Sequence, residues 1–260
     1  MPLIFDQYLA SKGISLTALG TFDKCPLQFA VRYLKRPGGG RSKAPVPGVF
    51  KEGIALHHAI ELGYRALLTD GKRMAFAELE AGARESLSEL SHGDTGRSVS
   101  KKLGGALRQF FELYYDRDRY IPIAVEFGRL VSLAPGINFN FRVDLLARDT
   151  ETGENCVVDF KIGRPRFHDV RLSDAIQTGA YAWGLDQILQ VGITSAHVVY
   201  LSSGGRETFT ITPAYKESFR HAVLEMIRVV RETREFVAKP SKTKCSVCDY
   251  RLACPHSLSK

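Results

Sequence analysis

A short apolar run that ends in an acid and a lysine restricts the fold of this chain more than any other feature. The run reads VVDFKIG, from Val157 to Gly163, and it predicts a strand over residues 155–162. Side chains two residues apart on a strand share a face, so Asp159 and Lys161 are expected to point the same way. The run therefore places a carboxylate beside an ammonium group at the end of a strand.

The segments around this strand predict an α/β architecture. Helices are expected over residues 54–70, 73–91, 99–117, 171–190 and 214–237. Further strands are expected over residues 123–133, 138–148, 195–202 and 206–212. Arg148 to Asn155 is typical of a hairpin loop, with Gly153 at its turn. Helices, three strands, a helix, two strands and a helix follow in order, without an internal repeat.

The composition is that of a globular protein, and its basic charge favours a polyanionic partner, although many basic proteins bind nothing anionic. The 260 residues are 44% hydrophobic and 25% charged, which excludes a disordered chain. Lys and Arg number 36 against 28 Asp and Glu, a net charge of +8. From Lys24 to Lys51 no acid occurs, and that window is either a solvated basic surface or a path for nucleic acid. Its basic residues are Lys24, Arg32, Lys35, Arg36, Arg41, Lys43 and Lys51.

The cysteines suit a reducing compartment. No apolar run approaches the roughly 20 residues that span a bilayer, and the N-terminus lacks the features of a secretory signal. A cytoplasmic protein without a membrane partner is therefore expected. The five cysteines are then thiols or metal ligands rather than disulfides.

A second acid is expected close to Asp159. Asp144 lies on the preceding strand, with fourteen residues between the two acids. Antiparallel neighbours joined by a short hairpin bring such carboxylates together. Paired carboxylates beside Lys161 predict a site for Mg²⁺ or Mn²⁺ that polarises a phosphodiester and activates water. Two exposed aspartates and a solvated lysine are the alternative interpretation of this spacing alone.

Other polar residues are arranged to join this site. His57, expected at the start of the first long helix, could complete a metal shell or simply bond a loop. Gln177 and Tyr181 are four residues apart on one helical face and could reach a phosphate or a base edge. Tyr181 packed against the sheet is the alternative. Glu126 is a possible additional acid, although a glutamate at a strand start is usually a surface residue.

These motifs, in this order, resemble the PD-(D/E)XK nuclease superfamily. The set is Gly53 to His57, Asp144, Asp159-Phe160-Lys161 and Gln177 to Tyr181. The VVDFKIG strand is similar to the typical strand of the RecB-like exonuclease branch, where Asp replaces the more common Glu. The resemblance implies a restriction-endonuclease-like core, a mixed central sheet flanked by helices.

Four cysteines form a separate motif. Cys245, Cys248 and Cys254 have the spacing C-x2-C-x5-C, and Cys25 lies about 220 residues earlier. Four thiolates could bind either Zn²⁺ or an iron–sulfur cluster, and spacing alone leaves both open. The arrangement resembles that of AddB-type helicase-nucleases and CRISPR-associated adaptation nucleases, which implies a [4Fe–4S] cluster joining the chain ends. Cys156 starts an apolar strand and is expected to be a small buried hydrophobe.

The resemblance implies a single nuclease domain over residues 1–260. Residues 15–36 and 240–256 would hold the cluster, residues 53–120 form the helical part, and residues 121–237 form the nuclease core. The absence of helicase motifs indicates a free-standing enzyme or the subunit of a larger assembly, with a helicase or an integrase as the expected partner.

The expected activity is metal-dependent hydrolysis of DNA, as an exonuclease on single-stranded ends. The resemblance assigns Asp144, Asp159 and Lys161 as catalytic residues, with His57 and the carbonyl of Phe160 as further metal ligands. Gln177 and Tyr181 would position the strand, and the biological setting would be DNA repair, recombination or CRISPR adaptation. Basic residues would bind the DNA phosphates, namely Arg32, Lys35, Arg36, Arg41 and Lys43.

A non-catalytic DNA-binding or assembly protein is the rival interpretation. In that protein, the cysteines would hold a structural metal and the basic window would grip phosphates. The paired acids argue against it, because a binding module does not need negative charge beside DNA.

Overall fold

The computed structural model describes residues 2–34, 48–90, 99–163 and 169–259. The helices are α1 Pro2–Ser11, α2 Leu16–Lys24, α3 Pro26–Phe29, α4 Gly48–Asp70, α5 Phe76–Leu90, α6 Lys101–Phe110, α7 Asp169–Asp186, α8 Pro213–Glu232 and α9 Lys242–Ser246. Two π-helical turns, Ala30–Leu34 and Phe111–Tyr115, follow α3 and α6. The strands are β1 Tyr120–Ala134, β2 Ile137–Asp149, β3 Asn155–Lys161, β4 Ser195–Tyr200 and β5 Gly205–Thr210.

The five strands form one mixed sheet in the order β1-β2-β3-β4-β5. β2 and β3 are antiparallel, β3 and β4 are parallel, and β4 and β5 are antiparallel. Helix α7 makes the crossover that the parallel pair requires. The predicted hairpin between β2 and β3 is confirmed, and Gly153 in its loop has a φ of 75°, which glycine adopts without strain.

The chain divides into two compact units. Unit 1 contains Met1–Pro47, Arg129–Phe141 and Ser218–Lys260; unit 2 contains Gly48–Gly128 and Arg142–Glu217. The prediction of a single domain over residues 1–260, with its internal boundaries, stays a prediction.

The core of unit 2 explains why β3 reads as an apolar run. Cys156, Val158 and Phe160 point to one face and join a buried cluster with the apolar faces of α4, α5 and α6, including Tyr64 and Phe110. Cys156 is fully buried, as predicted. Side chains at alternate positions of β3 point to the other face, the direction that Asp159 and Lys161 share.

Two predicted helix boundaries need correction, and one helix was not predicted. Helix α4 begins at Gly48 rather than at residue 54, so His57 lies in its third turn and not at a helix start. A glycine inside a helix costs only about 1 kcal/mol, and burial of the apolar face of α4 outweighs this cost at Gly53. Helix α8 ends at Glu232 instead of residue 237, and helix α1 was not predicted.

The ends of two shorter helices agree with the sequence. The hydroxyl of Ser15 accepts a hydrogen bond from the Ala18 N–H and caps α2. Cys25 ends α2, and Pro26 opens α3. Among the described helices, none has the length and apolarity needed to span a bilayer.

Candidate active site

The β2–β3 hairpin brings the two predicted carboxylates together. The register pairs Leu145 with Val158, and Asp144 and Asp159 come one step further along their strands. The carboxylate of Asp144 accepts a hydrogen bond of 2.9 Å from the Phe160 N–H. Both aspartates are buried, so the alternative of two exposed strand-end acids is wrong.

Lys161 and Gln177 enclose the carboxylate of Asp159. The Lys161 Nζ atom lies 2.7 Å from Asp159 Oδ2, and the Gln177 amide donates to Asp159 Oδ1 at 2.9 Å. Lys161 also donates to Gln177 Oε1 at 3.2 Å, and Gln177 donates to the Tyr181 hydroxyl. Helix α7 therefore places Gln177 in direct contact with Asp159, Lys161 and Tyr181.

A second group of ligand atoms lies beside Asp144. His57 Nδ1 is 3.3 Å from Asp144 Oδ2 and 3.8 Å from Glu126 Oε1. One ligand atom from each of these three residues lies within 4.8 Å of the others, a spacing that could hold a metal ion. Nitrogen and carboxylate oxygen atoms are suitable ligands for a divalent cation.

Glu126 joins this group through an unusual backbone. Its φ is 46°, in the left-handed region that non-glycine residues seldom adopt. Its second carboxylate oxygen lies 3.3 Å from an Arg142 guanidinium nitrogen, and the Arg142 side chain is 72% exposed. Glu126 is thus a part of the acidic group rather than an ordinary surface residue.

The charge of Asp144 contributes to a shift in the protonation of the buried Asp159 carboxylate. Burial and the neighbouring charge of Asp144 raise the pKa of Asp159 to about 6, even though Lys161 and His57 oppose the shift. Burial alone would lower the pKa of His57. The charge of Asp144 and hydrogen bonds to Asp144 and Glu126 outweigh burial and raise that pKa well above its ordinary value.

Lys161 stays protonated in this environment. Burial acts to lower the pKa of Lys161, but the charges of Asp159, Asp174 and Asp144 raise it overall. Burial, together with the charges of Asp159 and Asp144, holds the pKa of Tyr181 well above its usual range. Tyr181 is only 9% exposed, so its hydroxyl is a neutral member of the group.

Two members of the site were missed by the sequence analysis. Asp174 is buried, with Oδ1 3.5 Å from Lys161 Nζ, and the Tyr200 hydroxyl donates to its Oδ2 at 2.5 Å. Asp174 precedes Gln177 by three residues and so shares its helical face, a signal that was present in the sequence. Tyr200 pairs with Lys161 across β3 and β4, which only the strand order reveals.

The predicted cysteine set lies within unit 1. Cys25 sits between α2 and α3, Cys245 lies in α9, and Cys248 and Cys254 follow in the C-terminal turns. Burial raises the pKa of the Cys248 thiol, and the charge of Asp249 and the thiols of Cys25 and Cys254 add to this shift. All four cysteines are partly exposed and free.

The structure describes only part of the predicted basic path. Arg32 lies in the π-helical turn and pairs with Asp249 of the C-terminal tail at 3.3 Å. The other predicted contacts lie outside the described residues: Lys35, Arg36, Arg41 and Lys43.

A mixed sheet that holds paired carboxylates and a lysine, with a histidine from α4 beside them, defines a candidate centre for metal-dependent phosphodiester chemistry. The chain belongs to the PD-(D/E)XK nuclease superfamily, whose family model matches residues 13–255. Membership indicates a metal-dependent nuclease that uses DNA as its substrate, and the five-stranded mixed sheet is consistent with a restriction-endonuclease-like fold.

Comparison with individual proteins adds little to the family assignment. Among curated proteins, no sequence matches this chain. One solved structure, described as the crystal structure of SSO0001, is 13% identical and aligns over 81% of this chain and 97% of that chain, with a TM-score of 0.39. A TM-score of that size carries no argument about fold or function.

Proposed function

We propose that this protein is a Mg²⁺- or Mn²⁺-dependent DNA exonuclease that acts on single-stranded ends, in the RecB-like branch of its superfamily. The observation that carries the proposal is the contact of Asp159 with Lys161 and Gln177 next to the Asp144 carboxylate. Burial and the charge of Asp144 raise the pKa of Asp159, so a cation that neutralises this charge stabilises the site, and Lys161 remains a fixed positive charge beside it.

The donor set fits a divalent ion. Asp159 Oδ2 is buried beside the Lys161 ammonium, 2.7 Å away, and Asp159 Oδ1 accepts from the Gln177 amide, so the carboxylate is fixed next to Asp144. Asp144, Asp159, His57 and the carbonyl of Phe160 would hold the ion, with Glu126 as an additional acid. A bound ion supplies Lewis-acid polarisation of a phosphoryl oxygen and lowers the pKa of a bound water.

Lys161 acts as a charged group rather than a base in this proposal. Its raised pKa keeps the ammonium protonated at neutral pH, so it donates hydrogen bonds and cannot accept a proton. An ammonium held in advance stabilises the negative charge that develops on the phosphoryl group. Gln177 holds both Lys161 and Asp159, and with Tyr181 it positions the substrate strand.

We also propose that Cys25, Cys245, Cys248 and Cys254 bind a [4Fe–4S] cluster. The support is the split cysteine pattern, with Cys25 near the N-terminus and the C-x2-C-x5-C motif of Cys245, Cys248 and Cys254 in the tail. This arrangement resembles that of nucleases with an iron–sulfur cluster, in which thiolates bind the iron atoms.

The DNA path of this proposal includes lysines of the tail. Lys244 and Lys239 donate to the carbonyls of Lys24 and Asp23 at the end of α2, at 3.3 and 3.4 Å. Together with Arg32, these side chains concentrate positive charge around Cys25. The predicted contacts at Lys35, Arg36, Arg41 and Lys43 belong to the same path. A role in DNA repair, recombination or CRISPR adaptation and a helicase or integrase partner rest on the resemblance alone, and a cytoplasmic location stays a prediction from the sequence.

Replacement of Asp159 tests the nuclease proposal. Asp159→Ala should abolish Mn²⁺-dependent degradation of end-labelled single-stranded DNA, because it removes a ligand and the partner of Lys161. DNA binding should persist or tighten, since a negative charge leaves the site. Asp186→Ala is the matched control, because Asp186 pairs with Lys216 at the end of α7, and it should cleave at the wild-type rate. Wild-type protein that binds DNA but never cleaves it would support the non-catalytic alternative instead.

The cluster proposal has its own test. Protein purified without oxygen should be brown and contain iron and sulfide, and Cys25→Ser should remove both the colour and part of the thermal stability. Cys156→Ser should keep the colour. Stoichiometric zinc without iron would refute the cluster.

A further inference from the structure

Lys161 is surrounded by three acceptors, which is as many as an ammonium group has N–H donors. Asp159 Oδ2 lies at 2.7 Å, Gln177 Oε1 at 3.2 Å and Asp174 Oδ1 at 3.5 Å from Nζ. Asp159 already belongs to the proposed metal site, and Gln177 is already proposed to position the substrate strand. Asp174 is an additional buried carboxylate that the nuclease motif does not explain.

We propose that Asp174, held by Tyr200, positions the Lys161 ammonium for DNA cleavage. This inference rests on the nuclease function proposed above. With a divalent ion bound, the Asp159 carboxylate would interact with both the ion and Lys161, and its attraction for Lys161 would weaken. Asp174 is the carboxylate beside Lys161 that lies outside the proposed ligand set, and it fixes the ammonium when Asp159 turns to the ion.

Asp174 is itself fixed by its neighbours. Its side chain is 3% exposed, its Oδ2 accepts from the Tyr200 hydroxyl, and its backbone carbonyl accepts from the Thr178 hydroxyl. A buried carboxylate is costly unless it is paired and hydrogen-bonded. Here, Lys161 supplies the charge and Tyr200 the hydrogen bond.

The strand register makes this arrangement rigid. Lys161 and Tyr200 are paired across the parallel strands β3 and β4, and Tyr200 is almost fully buried. Asp174 is on α7, one helical turn before Gln177. Lys161 therefore contacts Asp159 on its own strand and both Asp174 and Gln177 on the crossover helix, and Tyr200 on the neighbouring strand fixes Asp174. An ordered catalytic group needs such support.

Kinetics of two variants test the positioning role. Asp174→Asn keeps an acceptor for the Tyr200 hydroxyl but removes the charge, and it should lower kcat roughly 10- to 100-fold, the loss expected from a displacement of about 1 Å. The KM for DNA and the affinity for Mn²⁺, measured by calorimetry, should change less than roughly threefold. Tyr200→Phe should lower kcat by a smaller factor, because Asp174 keeps its charge.

A control variant separates positioning from general loss of structure. Asp186→Asn removes the carboxylate partner of Lys216 at the other end of α7 and should keep the wild-type kcat. If Asp174→Asn does not fold, Tyr200→Phe carries the same test, since it removes one hydroxyl and keeps the ring.

A spectroscopic measurement tests the contact without reference to activity. In ¹⁵N-labelled protein, the partly buried and ion-paired Lys161 ammonium should exchange more slowly than exposed ammonium groups and give a signal, assigned by its loss in Lys161→Arg. Asp174→Asn should broaden this signal or abolish it, and Asp186→Asn should leave it unchanged. If the wild-type protein cleaves no DNA, the nuclease proposal fails, and the ammonium signal still decides whether Asp174 holds Lys161. An unchanged signal with a wild-type kcat in Asp174→Asn overturns the inference.

Discussion

Unit 2 contains two groups of buried charged residues, and their charges are balanced in opposite ways. In the structural network, formed by Arg119, Tyr120, Asp149 and His197, Arg119 donates two hydrogen bonds to the Asp149 carboxylate. Asp149 also accepts from the backbone of the β2–β3 loop, and the Tyr120 hydroxyl lies 2.7 Å from His197 Nδ1.

The candidate active-site group has more carboxylates than cations. Its members are His57, Glu126, Asp144, Asp159, Lys161 and Asp174.

The pKa values of one aspartate from each group show the difference. In the structural network, burial would raise the pKa of Asp149, but Arg119 and backbone N–H groups hold it below its ordinary value. Asp159 shifts in the other direction, to about 6. The difference teaches that the charges of the structural network are balanced within the folded chain, whereas a bound cation would stabilise the active-site group.

The largest expected effect is the loss of Arg119. Arg119→Met leaves the Asp149 carboxylate buried without its partner, which should cost about 3–5 kcal/mol of the free energy of unfolding. Urea denaturation of the metal-free protein measures it. Arg228→Met is the control, because Arg228 pairs with Glu225 and Glu232 on an exposed helix surface, where ion pairs contribute little, and its stability should stay close to that of the wild type. Equal losses in the two variants would contradict the comparison.

His197 should make the protein less stable in mild acid. Burial and the charge of Arg206 lower the pKa of His197 to about 4. Between about pH 4 and pH 6.5, His197 is therefore neutral in the folded state and protonated in the unfolded state. Stability should fall by about 3 kcal/mol between pH 6.5 and pH 4. His197→Asn keeps an acceptor for Tyr120 and should remove this part of the pH dependence. Identical pH profiles for variant and wild type would exclude this role.

Asp159 should have the opposite pH dependence. Its raised pKa means that the folded state takes up a proton near pH 6, whereas the unfolded state does so near pH 4. Its contribution to stability is therefore present at low pH, and about 3 kcal/mol is lost as the pH rises from 4 to 6. Asp159→Asn should abolish this loss and stabilise the metal-free protein at pH 7. A variant less stable than wild type at pH 7 would show that the carboxylates do not repel one another as described.

The smallest expected effect is stabilisation by a cation. Mn²⁺ at ten times its dissociation constant should raise the free energy of unfolding by about 1.4 kcal/mol. Asp159→Asn should gain nothing at the same concentration, because it lacks the ligand, whereas Asp186→Asn should gain as much as wild type. Thermal unfolding with and without Mn²⁺ provides the measurement, and stabilisation of Asp159→Asn would place the ion elsewhere.

The sequence predicted the strand positions well because each depends on a short local pattern. The β2–β3 hairpin followed from Gly153 and from apolar runs on either side of it, and it was enough to bring Asp144 and Asp159 together. The first residue of helix α4 was harder to predict, because Gly53 is typical of a helix boundary. Packing of α4 against residues distant in the sequence decides where the helix begins. Asp174 could have been found from its spacing to Gln177. The roles of Tyr200 and Arg119 could not, since both depend on which strands become neighbours.

The arrangement of the β2–β3 hairpin and the crossover helix α7 also bears on how the protein folds. Asp144, Asp159, Lys161 and Gln177 all come from one short stretch of chain, and contacts of small sequence separation form quickly. His57 belongs to α4, almost ninety residues before Asp144. The repelling carboxylates are thus expected to meet early in the folding reaction, before the histidine arrives. A divalent ion present at that stage should speed refolding as well as slow unfolding, which connects the kinetics of folding to the metal supply of the cell.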